Sequence, residues 1–499
     1  MRHLTWSLAL AFSLLLPSAV AAQSASLNFS AADRGQQEEF FEAATPQMRM
    51  SSYLSSMKNT APVPIEDEQP IGYFARRLVT GCNTCHVAFP KLNTYGRLVK
   101  NMGYQLPELD LSQLHEPALK KVTRYIPLSF RGVLDLANGD PNDLNAQLNV
   151  RALQMLSGGT AWGNRLSWWA HTHIVEENEF VNPFTNTPHE LWAQYNLSFG
   201  AEQNRLSFRG GMSELPLWFA PSKTKLSEIP YAIYDAAVGE SVFTLSTPQY
   251  GFLVQGARLD DLGNDLDFSY AVAAVTGEQS FDSQRFTHVF SRFTKTMSGV
   301  NFGLFGYTGS QDFQVHQDEH AEEEQAEEEH AEETHDEHGA EEPTSLSVHD
   351  RLYRVGFDID ADIGRLNVFG LGLYGRNSNP GPDQSLGSRS YYGGFVGADF
   401  SVTERLILST RFDAVRFRDN EQPHDEHAEP EHQEEAAPAH DDDLEAGHGG
   451  HGEIVRSNTD ALVFGLNYLL AWQVRLTTEY RKAFNGLEDK LIVGLQFAF

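Results

Sequence analysis

The chain has 499 residues, a mean hydropathy of −0.39 and a formal net charge of −31, from 37 Lys and Arg against 68 Asp and Glu. Fourteen of the acids lie in His316–Glu342 and thirteen in Asp419–Glu453, so the remainder is nearly balanced at 41 acids to 37 bases. That balance excludes double-stranded nucleic acid as a partner, which needs a basic face, and no apolar run beyond the N-terminus reaches the roughly 18–20 residues of a spanning helix.

The first residues read as an export signal. Arg2 and His3 form a polar start, Leu8 to Leu16 is an apolar stretch too short to cross a bilayer, and Val20-Ala21-Ala22 offers small residues for cleavage before Gln23. Residues 1–22 are therefore expected to be a signal peptide, with the mature chain outside the cytoplasm.

Residues 23–124 read as a small, mostly helical unit, with helix-compatible patterning over Asp33–Ala43, Gly72–Thr80 and Lys91–Met102. The chain's two cysteines stand together here, in Gly81-Cys82-Asn83-Thr84-Cys85-His86. Cys-x-x-Cys-His is the attachment pattern of c-type haem. Two thiols one helical turn apart reach the two vinyl groups of a single porphyrin, and the next residue offers its imidazole to the iron. A plain disulfide is the simplest competing reading. A structural zinc site would want four ligands, and a thioredoxin-type motif an α/β setting; neither fits this chain. One covalent haem c on Cys82, Cys85 and His86 is expected. For the opposite face of the iron the first candidate is Met102 and the next His115, while Met48, Met50 and Met57 precede the motif and stay open. A lone Met is also a common core filler.

From Tyr125 onward, segments of about ten residues alternate apolar and polar between Gly/Asn/Asp-rich turns, the pattern of a transmembrane barrel. Leu491, Val493, Leu495, Phe497 and Phe499 oppose Ile492, Gly494, Gln496 and Ala498, and Val474, Leu476, Thr478 and Tyr480 oppose Arg475, Thr477, Glu479 and Arg481. A soluble sandwich also alternates. The export signal, aromatic strand ends and a terminal Phe favour the outer-membrane barrel. The expected fold is all-β over 125–499, about 16 antiparallel strands, preceded by a small α-helical cytochrome segment. The count treats Ser213–Pro248 as one loop, although Val242 to Leu245 could form a further strand. With both ends of the barrel in the periplasm, the short connections at 200–203, 259–263, 360–364, 401–403 and near Ala471 fall on one side. The long ones, including 213–248, 309–350 and 417–456, fall on the other, outside the cell.

The two acidic insertions hold 11 of the 19 histidines, among them His316, His335, His424 and His451. One reading is a solvated loop that keeps the surface hydrated. The other is cation capture, because carboxylate and imidazole together suit divalent iron, zinc, nickel or copper. His171 and His173 share one strand face, expected to be the lumen, where polar filling is their ordinary role.

Cys82-x-x-Cys85-His86, Phe89-Pro90-Lys91-Leu92, Tyr95-Gly96-Arg97 and Gly103-Tyr104 together resemble the haem segment of the fused monohaem cytochrome–porins of iron-oxidising bacteria. The resemblance covers about residues 81–104; over the barrel it is one of architecture. It implies a cytochrome joined to a barrel of about sixteen strands in the outer membrane, with Cys82 and Cys85 as thioether attachments and His86 as proximal ligand. It further implies an electron-transfer protein, an Fe(II):cytochrome c oxidoreductase in effect. Its partners would be extracellular Fe(II) or another reduced donor, a periplasmic cytochrome or copper carrier, and outer-membrane lipid. The alternative is a cation-selective porin whose loops gather metal and whose haem is structural or regulatory.

Overall fold

The computed structural model describes residues 85–101, 127–139, 148–162, 165–181, 188–199, 204–221, 225–239, 243–259, 266–277, 286–315, 346–381, 387–418 and 454–498, with residues 141 and 241. All of these residues belong to one compact unit, Pro62–Phe499. The expected export signal, the early helices, Cys82, Met102, His115 and both acidic insertions lie outside the described residues.

A two-stranded ribbon, β1 (His86–Ala88) and β2 (Lys91–Leu92), leads into helix α1 (Thr94–Asn101). The barrel follows as β3 (Leu128–Gly139), β4 (Asn149–Ala161), β5 (Leu166–Glu176), the two-residue β6 (Glu179–Phe180), β7 (Glu190–Phe199), β8 (Asn204–Ser213) and β9 (Gln249–Leu259). It continues through β10 (Leu266–Val275), β11 (His288–Met297), β12 (Val300–Val315), β13 (Leu346–Ile363) and β14 (Leu366–Asn377). The last strands are β15 (Arg389–Ser401), β16 (Leu406–Arg418), β17 (Thr459–Ala471), β18 (Val474–Asn485) and β19 (Lys490–Ala498). Every neighbour pair is antiparallel, and β19 closes on β3 through pairs such as Leu495↔Leu134. Setting β6 aside, sixteen long strands form one closed barrel, the number the alternation predicts.

The two faces of the wall follow from the period of two. On β13, Tyr353, Val355 and Phe357 are exposed, the last two at 58 %, while Arg354, Asp358 and Asp360 on the alternate positions are buried. On β12, Leu304 is 65 % exposed. A soluble protein would reverse this arrangement. Apolar side chains facing out and charges facing in make the outer surface a lipid-facing belt of the transmembrane-barrel kind.

The connections sort by length onto the two rims. Tight turns join β4–β5, β11–β12, β13–β14 and β17–β18, and the β13–β14 turn is set by Gly364 at φ +62°. Both barrel ends, Leu128 and Ala498, lie at this turn rim, and the connections that carry the acidic insertions leave from the opposite, loop rim. The parity expected from sequence therefore holds. β12 and β13 are longer than expected, reaching Val315 and Leu346, because their ladder continues past the wall as a protruding hairpin.

The 213–248 connection departs from the expected picture of an outward loop. It starts at the loop rim and turns into the lumen, where Leu215, Trp218, Phe219, Tyr231, Ile233 and Tyr234 pack against inward-facing Phe290, Phe305, Phe369, Tyr391 and Phe395. Its described residues contain no strand beyond an isolated bridge, Ala236↔Val455. Fully burying each large apolar side chain is worth about 1.5–3 kcal/mol, so a loop this rich in them is driven inward. Among the described residues, the lumen at this level is a packed core.

Candidate functional site

Site geometry starts at Cys85, the first described residue of the haem motif. Cys85 stands at a turn and His86 opens a short strand, so the described end of the motif is not the helical turn expected from the spacing. The cause is local. Pro90 has no N–H to extend a helix, and the chain doubles back so that Lys91 and Leu92 pair with Ala88 and His86. Helix α1 then starts from an Asn93 cap: the Asn93 Oδ1 accepts from the Gly96 N–H at 2.8 Å, and its carbonyl accepts from Arg97 N at 3.0 Å. The Asn93 N–H donates to the Cys85 carbonyl at 3.0 Å. Gly96 lies so close to that carbonyl that an added Cβ would sit 2.0 Å from it, which explains a glycine in mid-helix.

His86 is oriented by its own turn. Its Nδ1 lies 3.1 Å from the Pro90 carbonyl, and since a carbonyl only accepts, Nδ1 carries the proton. Nε2 is left as the lone-pair nitrogen, the pattern by which iron-ligating imidazoles are held. Burial drives the His86 pKa down to about 4, against the opposing backbone hydrogen bonds at Pro90 and Lys91. The neutral imidazole is the form that ligates a metal. The described part of the motif thus fits an axial haem ligand.

The segment is fastened inside the barrel by two of its cations, Lys91 and Arg97. Lys91 Nζ reaches Asp399 of β15 at 2.5 Å and Asn367 Oδ1 of β14 at 2.6 Å. Arg97 pairs with Asp360 of β13 at 2.8 Å, and its guanidinium lies 4.8 Å from the Trp218 ring. Asp360 also accepts from Trp218 Nε1 at 2.9 Å and from Asn367 Nδ2 at 2.8 Å. One buried carboxylate therefore joins the motif segment, the inward loop and the wall. Ala88 is fully buried against Leu226, Ile407 and Leu469, with Trp472 beside them. All of these wall residues lie at the turn-rim end of the lumen, which the segment, preceding β3, enters.

The loop has its own clamp. Glu228 is paired with Arg475 and, at 2.7 Å, with Arg151. Glu479 accepts from the backbone N–H of Glu228 and Ile229 at 2.7 and 2.8 Å. Arg411, ion-paired with Asp413 at 2.8 Å, donates to the Pro230 carbonyl at 2.7 Å. Together with Arg292–Asp358, a two-pronged pair at 2.7 and 2.8 Å, these groups line the bore with alternating charge. Among the described residues a cavity of about 390 Å³ remains in the lumen, with Gln154, His171 and His189 lining part of its wall.

Of the expected site residues, Cys85 and His86 are placed together at this position; Cys82 and Met102 lie outside the described residues. Asp360 and Asp399 carry no signal in the sequence, and Lys91 and Arg97 stand out there only as part of the resemblance, not as anchors. No local signal finds them, since the partners are separated by 263 to 308 positions. The inward loop did leave a signal: Leu215-Pro-Leu-Trp-Phe-Ala220 and Ile229-Pro-Tyr-Ala-Ile-Tyr234 are too apolar for a solvated connection.

No family model matches the chain, and no characterised protein was found similar to it in sequence. Among solved structures, OmpF of Salmonella typhi in complex with daunomycin is similar at a TM-score of 0.44 and 12 % identity, over 74 % of this chain and 97 % of that one. An anion-selective porin from Comamonas acidovorans is similar at 0.44 and 11 %, covering 74 % and 99 %. A loop-deletion variant of the outer-membrane protein OmpT of Vibrio cholerae is similar at 0.41 and 11 %, with the same coverage. The described residues of the chain form one closed barrel of sixteen long antiparallel strands.

Proposed function

We propose that the protein is an outer-membrane electron conduit, passing electrons from an extracellular donor such as Fe(II) to a periplasmic cytochrome or copper carrier. One covalent haem would be held by Cys82, Cys85 and His86. A haem bound there supplies reversible one-electron chemistry. The observation that carries the reading is the fastening of the motif segment inside the lumen, by Lys91 to Asp399 and Arg97 to Asp360. A single redox centre can serve both sides of an insulating band about 25 Å tall only if it sits within the wall. His86 contributes a neutral, oriented imidazole; Lys91 and Arg97 hold its segment at the turn rim; the inward loop takes up space through which solutes would otherwise leak.

The test is transfer across a sealed membrane. Full-length holoprotein in liposomes loaded with oxidised cytochrome c should reduce the enclosed acceptor when Fe(II) is added outside, and the His86→Ala variant should not. Reduction at equal rates in both, or in neither, would remove the reading.

A second reading is a cation-selective porin with metal-gathering loops, favoured by the porin-like barrel and the cavity of about 390 Å³. Stable, cation-selective conductance steps in planar bilayers, with no electron transfer in liposomes, would support it.

A further inference from the structure

On β5 the alternation is interrupted. Leu153 of β4 pairs with Val175, but its neighbour Gln154 pairs with His173, so Ile174 is an extra residue in the ladder. In a regular strand His173 and Glu176, three positions apart, would face opposite sides of the wall. The bulge reverses the parity beyond it. Glu176 now pairs with Ala152 and His173 with Gln154, two residues that are both buried on the lumenal side. His189, just before β7, comes to the same place from across the loop rim.

Donor atoms converge there. His173 Nδ1 is 3.1 Å from Glu176 Oε1, and His189 Nε2 is 3.9 Å from the same oxygen. One donor atom from each of His173, Glu176 and His189 lies within 4.8 Å of the others. Donors sharing a metal at bond lengths of about 2.1 Å stand roughly 3–3.5 Å apart, so small side-chain movements close the set. The His173 and His189 rings are stacked at 3.9 Å, and the His171 ring lies 5.3 Å from His189 and 5.4 Å from His173, near enough to offer a further nitrogen.

We propose that His173, Glu176 and His189 bind a first-row divalent cation such as Fe(II), Co(II) or Zn(II), at the loop-rim end of the lumen. Two imidazoles and one carboxylate, with positions left over, are a donor set suited to these metals and poor for Ca²⁺ or Mg²⁺. Support around the ligands is present. The Gln154 amide is 2.8 Å from His173 Nε2. When Nδ1 takes a cation, Nε2 carries the proton and donates to the amide oxygen after the amide turns over, fixing the ring as an outer ligand partner does. His171 and His189 also line the cavity of about 390 Å³, which gives a cation room to arrive and to keep water or a fourth ligand. The site is separate from His86 and requires no haem, so it goes beyond the conduit reading and survives that reading's failure.

Co(II) titration of the full-length protein in detergent, followed by visible absorption, tests it. One equivalent should bind tightly and give d–d bands. His173→Ala with His189→Ala should weaken that equivalent at least 100-fold, and the near-isosteric Glu176→Gln about 10-fold. His448→Ala with His451→Ala, in the second insertion, should leave it unchanged. Folding of every variant is checked by heat-modifiable gel migration. The proposal is overturned if the wild type gives no tight equivalent, or if that equivalent persists in Glu176→Gln and in the double His variant.

Discussion

Removing the Asp360 carboxylate should release the motif segment from the barrel. Asp360 is almost fully buried and accepts from Arg97, Trp218 and Asn367, at 2.8, 2.9 and 2.8 Å. Asp360→Ala leaves the Arg97 guanidinium without its carboxylate in a buried setting, which costs about 3–5 kcal/mol when a buried pair is broken. The Trp218 and Asn367 donors lose an acceptor as well, at about 1–3 kcal/mol each. Reorganisation returns part of this, so we take about 3 kcal/mol as the net effect on docking, on the order of 100-fold in the docked-to-released ratio. The readout is trypsin cleavage after Lys91, whose side chain is only 11 % exposed while the segment is docked. Mass spectrometry of cleavage under conditions of fast opening should show a rate increase of the same order. A double-mutant cycle with Arg97→Ala, read by urea midpoint, should give a coupling of at least about 1.5 kcal/mol. Unchanged cleavage in Asp360→Ala together with additive effects in the cycle would refute the anchoring argument.

Gly96→Ala should push α1 off the Cys85 carbonyl, since the new Cβ would fall 2.0 Å from that oxygen; haem absorbance per barrel should drop several-fold. His86→Ala should abolish the haem redox signal while heat-modifiable migration of the barrel stays intact. Met102→Ala should shift the midpoint potential if its thioether ligates the iron, and an unaltered spectrum would strike Met102 from the ligand set. Glu228→Gln removes the charge that pairs with Arg475 and Arg151, so the inward loop should loosen and open-state conductance in planar bilayers should rise from near zero; a silent variant would place the lumen seal elsewhere. Deleting His316–Glu342 and Asp419–Glu453 takes away 27 acids and should raise the apparent KM for Fe(II) a few-fold at low salt, the difference shrinking at high salt.

The barrel was readable because its information is local. Each strand carries its own period of two, so Val355 and Phe357 against Arg354 and Asp358 announce two faces without any knowledge of the neighbours. Turn lengths then fix the parity of the rims, and the Cys-x-x-Cys-His spacing is contained within five residues. All of these depend on spacing along the chain. The direction of the 213–248 loop was half legible: its aromatic residues declare that they need burial, but not which wall receives them.

Tertiary structure alone decided the rest. The sequence names Lys91 and Arg97 as part of a motif but assigns them no partner, and they become anchors only because closure of the barrel brings Asp360 and Asp399 to the end of the bore that the segment enters. His171 and His173 looked like polar filling on one strand. Glu176 joins them through a single bulged residue, which no hydrophobic period reports, and His189 through a turn of the chain beyond the strand. Alternation sets which face a side chain takes, whereas register and loop path set what it meets there, and these are fixed only when the last strand hydrogen-bonds to the first.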